Sequence, residues 1–113
     1  MKKDDSVYLN HIIDAIKQIR DYLNCVTKDK FYESKLIQDG VLRQLGIIGE
    51  ACSKISETLK QKHNNIPWYQ IVGLRNRVVH AYFDINLEIV WEIAQDDLNL
   101  LENQINIVLS DFM

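Results

Sequence analysis

Ser34-Lys35-Leu36-Ile37-Gln38-Asp39-Gly40-Val41-Leu42-Arg43-Gln44-Leu45-Gly46-Ile47-Ile48-Gly49-Glu50-Ala51-Cys52 is the stretch that decides the fold. Ile37, Val41, Leu45, Ile48 and Cys52 recur in steps of four and three, and Ile55 and Leu59 continue the series. That period belongs to a helix of about six turns with one narrow apolar seam, the pattern of a helix packed in a bundle. Ser34 supplies the capping oxygen. Gly46 and Gly49 flank the seam on one side. Glycine costs up to about 1 kcal/mol in a helix interior, so the pair predicts a close backbone approach by a neighbour. Arg43 and Glu50 share the opposite face, where a solvated pair competes with a role beside an active surface.

Towards the N-terminus, Asp4, Asp5 and Ser6 offer caps before Leu9, Ile12, Ile13, Ile16, Ile19 and Leu23. These positions predict an amphipathic helix to about Asn24. His11, at the edge of that stripe, reads as structural or solvated. Thr27 to Lys30 reads as a polar break, with Phe31 and Tyr32 anchoring a loop to the core. Towards the C-terminus, Lys60 to Asn65 reads as a polar linker in which His63 carries no signal. Pro67 suits the first turn of a third helix, which Trp68 and Tyr69 lock onto the bundle and which runs to Ala81 or Tyr82. Asp84 or Asn86 then caps a fourth. Its seam is Leu87, Val90, Ala94, Leu98, Leu101, Ile105, Val108 and Phe112, with Trp91 beside it. Residues 1–113 are therefore expected to form one all-α domain, an antiparallel four-helix bundle.

Composition agrees with this reading. The 113 residues are 47% apolar and 26% charged, a globular balance, and four glycines and one proline leave little material for a turn-rich β fold. A net charge of −3 is not that of a general nucleic-acid coat, so any polyanion site must be a local basic patch. Cys25 and Cys52 have no paired spacing and read as reduced, semi-buried thiols. Met1-Lys2-Lys3-Asp4-Asp5 has no apolar run behind its lysines, so no signal peptide is expected, and no run approaches the roughly 18 apolar residues of a membrane span. A cytoplasmic protein is the expectation.

The chemistry concentrates in Gly73-Leu74-Arg75-Asn76-Arg77-Val78-Val79-His80-Ala81-Tyr82-Phe83. Projected as a helix, Ile71, Leu74, Val78 and Ala81 form the core stripe, and Asn76 and His80, four apart, share the opposite side. Arg75 and Tyr82, seven apart, line up at the flank of the stripe. A lone helical histidine is usually structural, but His80 and Val79 both fall off the core stripe, which hints at a second covering surface. Phosphate-loop, dinucleotide and nucleophile-elbow motifs are absent, Cys and His lack zinc spacing, and the carboxylates are scattered, which disfavours a magnesium nuclease. Arginine with histidine suits metal-free phosphodiester chemistry. The imidazole can exchange a proton with a ribose hydroxyl, the guanidinium can hold the phosphate, and Asn76 could orient either partner. Arg75 and His80 would lie about 140° apart on one helix, a poor fit that two facing copies across a twofold axis would repair.

Arg75-Asn76-Arg77-Val78-Val79-His80-Ala81-Tyr82 resembles the R-x4-H-x-Y motif of the HepT-like toxins, of the HEPN superfamily of helical RNA-cleaving domains. Leu42-Arg43-Gln44-Leu45, Ile48-Gly49-Glu50-Ala51, Ile66-Pro67-Trp68, and Tyr82-Phe83-Asp84 leading to Val90-Trp91 resemble that family in order, covering the chain from Ser34 onward. The resemblance implies a dimeric, metal-independent ribonuclease without a cofactor. In it Arg75 and His80 are the catalytic pair, Asn76 is the polar residue within the motif, and Arg77 and Arg43 meet RNA; transfer RNA is one associated substrate class. It also implies a partner, a minimal nucleotidyltransferase antitoxin that transfers AMP to Tyr82. Added charge and bulk there would oppose RNA phosphate at Arg75. Two alternatives stay open. One is a non-catalytic subunit that binds nucleotide or docks onto a nucleotidyltransferase, and the other is a purely structural dimerisation module.

Overall fold

In a computed structural model of the protein, residues 4–81 and 84–112 are described, with His80 and Ala81 described in their backbone alone. Helix α1 spans Asp5–Leu23, α2 Lys28–Glu33, α3 Lys35–Lys54, α4 Glu57–Lys62, α5 Trp68–Val72 and α6 Leu74–Val78. A two-stranded hairpin follows, β1 Val79–Ala81 and β2 Asp84–Ile85. Helix α7, Leu87–Glu92, runs through a π-helical turn at Ile93–Asp97 into α8, Leu98–Ser110. The architecture is an all-α bundle. Among the described residues no helix is long and apolar enough to cross a membrane.

The seam residues do what their period requires. Val41, Leu45, Ile48, Cys52, Ile55 and Leu59 are buried, and they meet Leu9, Ile12, Ile16 and Ile19 of α1 and Leu98, Leu101, Ile105 and Val108 of α8 in one core. Contacts at the helix ends set direction. Asp5, opening α1, accepts hydrogen bonds from Ser56 N at 2.9 Å and Ser56 Oγ at 2.6 Å, just past α3. At the other end, Gly40 of α3 faces the Tyr22 ring of α1. The two helices therefore run antiparallel. Arg20, in the last turn of α1, donates to Glu102 at 2.8 Å and to Asn99 at 2.6 Å, near the start of α8, so α8 is antiparallel to α1 as well. Single capping side chains start several helices: Asp4 for α1, Ser34 for α3 and Asn86 for α7.

Gly49 meets the expectation of close approach. A Cβ placed there would lie 2.8 Å from the backbone oxygen of Val72, so only glycine lets the end of α5 sit on α3. Gly46 is different, because its neighbour is the Arg75 side chain, with Cδ 3.4 Å from the corresponding position.

Several expectations need correction. The seam to Leu59 is not one helix. Ile55 is extended, and Ser56 caps a new helix by accepting from Leu59 N, because the Asp5 carboxylate binds Ser56 from outside. The supposed linker from Lys60 begins inside α4. Lys60 is buried there, and His63 Nε2 lies 2.8 Å from Asp111 Oδ2. The break at Thr27 to Lys30 is instead the capped start of α2. Phe31 is buried against Trp91, with ring centroids 5.5 Å apart, but Tyr32 is exposed. Trp68 is buried with its indole N–H donating to His63 O at 3.0 Å, whereas Tyr69 is exposed. Phe112 falls outside the seam, and Cys25 is exposed while Cys52 is buried. Burial pushes the Cys52 thiol up to about 11, an effect that the Lys60 charge reduces, so it is a poor nucleophile near neutrality.

Candidate functional site

The most consequential departure lies in the motif. The expected third helix ending at Ala81 or Tyr82 is interrupted at Gly73, restarts at Leu74 and stops at Val78. Val79 is extended, at φ −107° and ψ 105°. Two adjacent β-branched residues, Val78 and Val79, lower the cost of leaving the helix. Asn86 then donates its N–H to Val78 O at 2.8 Å, and Val79 pairs with Ile85 across the hairpin. Asn76 and His80 therefore do not share a helical face, since Asn76 is on α6 and His80 on β1. The 140° separation of Arg75 from His80 no longer applies either. The His80 side chain and all of Tyr82 lie outside the described residues.

The α6 part behaves as its stripe predicts. Leu74 and Val78 are buried, while Arg75, Asn76 and Arg77 are exposed. Arg75 runs its stem against Gly46 of α3, where a larger residue would press on Cδ. That glycine also lines an open groove of about 500 Å³ between α1 and α3, together with Arg43, Glu50, His11, Tyr8 and Lys54. Arg75 and Arg43 thus border the same surface through one glycine. Arg77 points elsewhere, with Nη2 3.8 Å from Asp97 Oδ2 in the π-helical turn. Glu50 pairs with Lys54 at 3.8 Å rather than with Arg43. His11, read from the sequence as structural or solvated, is exposed and stands edge-on to the Tyr8 ring. Among the described residues no three His, Cys, Asp or Glu side chains converge as metal ligands.

Sequence reasoning missed two features of the chain. One is the π-helical turn, whose residues keep the apolar spacing of an ordinary helix and so carry no local signal. The other is the burial of Lys60. Its place directly after the seam residue Leu59 reads as solvated, so no local signal marked it.

Residues 12–108 match the family described as ribonuclease HepT-like. The chain belongs to that family, and its all-α bundle is of the HEPN type. It is 37% identical over 105 residues to a Methanocaldococcus jannaschii protein named as a gamma-glutamylcyclotransferase and candidate RNase. That match covers 93% of this chain but 47% of the relative, so this chain spans about half of that protein's length. A second protein of that organism, named as a candidate RNase, is 32% identical over 107 residues, covering 95% of this chain and 98% of its own. A candidate ribonuclease HepT of Thermococcus cleftensis is 32% identical over 104 residues, 92% of this chain and 94% of that one. No solved structure matches the chain.

Proposed function

We propose that the protein is the ribonuclease toxin of a toxin–antitoxin pair and cleaves RNA without a metal ion. The observation that carries the reading is Arg75, an exposed cation seated on Gly46 beside the Arg43 groove, five residues before His80 within the family motif. Its guanidinium holds the scissile phosphate and offsets the charge that grows on it. The imidazole of His80 moves the proton of the ribose 2′-hydroxyl. The 2′-oxygen then bonds to phosphorus, the bond to the 5′-oxygen breaks, and that oxygen takes up a proton, leaving a 2′,3′-cyclic phosphate and a 5′-hydroxyl. Asn76 orients one of the partners, and Arg43 and Arg77 attract the strand. Two copies of the chain place their motif segments face to face, so that each cleft draws on both.

Incubating the purified protein with total RNA in excess EDTA tests the chemistry. Cleavage with cyclic phosphate ends is the expected result. Intact RNA with EDTA, but cleavage when magnesium is restored, would overturn metal independence. Intact RNA under both conditions would favour the docking-subunit alternative.

Control is assigned to Tyr82, the acceptor of AMP from a minimal nucleotidyltransferase antitoxin. With that enzyme and ATP, the peptide containing Tyr82 gains AMP and cleavage stops. Tyr82→Phe keeps some cleavage and escapes inactivation. AMP on Tyr69 or on a serine, with Tyr82 unmodified in the mass spectrum, would overturn the assignment.

A further inference from the structure

Lys60 is the one charged residue among those described that is buried, with 8% of its surface exposed. Among the described residues its Nζ makes no hydrogen bond. Its nearest anion, Glu57 Oε1, is 3.9 Å away on a side chain that is 64% exposed. The packed stem carries that burial, as in other lysines whose tips reach outward, and the ammonium stays open to an arriving anion. Lys60 lines a groove of about 420 Å³ at the junction of α4 and α5, within the roughly 300–1,000 Å³ range of ligand pockets. The same groove holds the amides of Gln61, Asn64 and Gln70 and the ring of Tyr69. Tyr69 is 76% exposed, and Nζ of Lys60 lies 5.9 Å from its ring centroid.

A cation for a phosphate, an open aromatic face for a base and amides for a base edge are the components of a nucleotide subsite on a single strand. We infer that the α4–α5 groove binds one nucleotide of an RNA strand, with a phosphate oxygen on Lys60 and the base stacked on Tyr69. Glu57 occupies the place meanwhile. Its contacts are long, 3.9 Å to Lys60 and 3.4 Å to the Tyr69 hydroxyl, so an arriving phosphate displaces it easily. The groove reaches the motif segment through α5, whose end rests on Gly49, three residues along α3 from the seat of Arg75. The inference rests on RNA being the substrate and adds a contact away from the cleaved bond.

The test is a fluorescence-polarisation titration of the intact protein with a labelled single-stranded 2′-O-methyl oligoribonucleotide, which lacks the nucleophilic hydroxyl. Tyr69→Ala is expected to weaken binding roughly tenfold and Tyr69→Phe to leave it near the parent value. Lys60→Met should weaken it similarly and lower the salt dependence by about one ion. Glu57→Gln should tighten it. The Lys60 stem is packed, so melting curves accompany that variant, and surface Tyr69 keeps the test decisive if Lys60→Met fails to fold. Parental affinity in Tyr69→Ala overturns the inference. Free AMP binding in the groove with no Tyr69 effect on the oligonucleotide also overturns it, in favour of a mononucleotide site. Binding through Tyr69 by a protein that cleaves no RNA overturns the nuclease reading and leaves this one standing.

Discussion

His80→Ala lowers RNA cleavage by roughly 10²–10⁴-fold, the usual worth of a positioned acid–base group, and Arg75→Ala gives a loss of similar order. Arg75 is exposed on α6, so its replacement leaves the melting temperature close to the parent, within about 0.5 kcal/mol of stability. Circular dichroism checks that His80→Ala keeps its helical content. Mixing the two inactive variants then reads the dimer directly. If each cleft takes Arg75 from one chain and His80 from the other, a mixed dimer holds one site with both residues intact. Free exchange then restores about a quarter of the parent activity. No restoration despite exchange places both residues of a site on one chain. Cleavage by His80→Ala at the parent rate removes the catalytic assignment and returns the protein to the docking-subunit class.

Two of the α3 glycines, Gly49 and Gly46, should give opposite results. In Gly49→Ala the new methyl group lies 2.8 Å from Val72 O and 3.4 Å from Ile71 O, both backbone atoms that cannot swing away. Overpacking of this kind costs about 1–3 kcal/mol, against a gain of up to about 1 kcal/mol in helix propensity. The clash wins, and the melting temperature should fall by roughly 5–10 °C. In Gly46→Ala the neighbour is the flexible Arg75 stem at 3.4 Å, which can yield. Stability should hold or rise by up to about 1 kcal/mol, yet cleavage should fall because the guanidinium moves. Thermal melts and initial rates on both variants check this. Equal melting temperatures would refute the packing of α5 on α3, and unchanged cleavage in Gly46→Ala would detach Arg75 from its seat.

The sequence by itself determined the class of fold and most of the core. The three- and four-residue steps of Val41, Leu45, Ile48 and Cys52 are a local property of the chain, and so are the caps at Asp4, Ser34 and Asn86, each a side-chain oxygen within three residues of the amide it binds. The motif from Arg75 to Tyr82 was legible in the same local way, through residue types and spacing. Gly49 was legible as a place of close approach, though not what would approach it. Tertiary structure decided what depends on distant partners. Helix α3 ends at Lys54 because Asp5, far back in the chain, binds Ser56. The motif helix ends at Val78 because Asn86 takes its carbonyl, and that places His80 on a strand instead of one turn above Asn76. Lys60 follows an apolar seam and looks like the solvated residue after it, but it is buried where α4 and α5 meet around one groove. In each case the local pattern allows two conformations of similar free energy, and a hydrogen bond or a packed neighbour from elsewhere in the chain selects one.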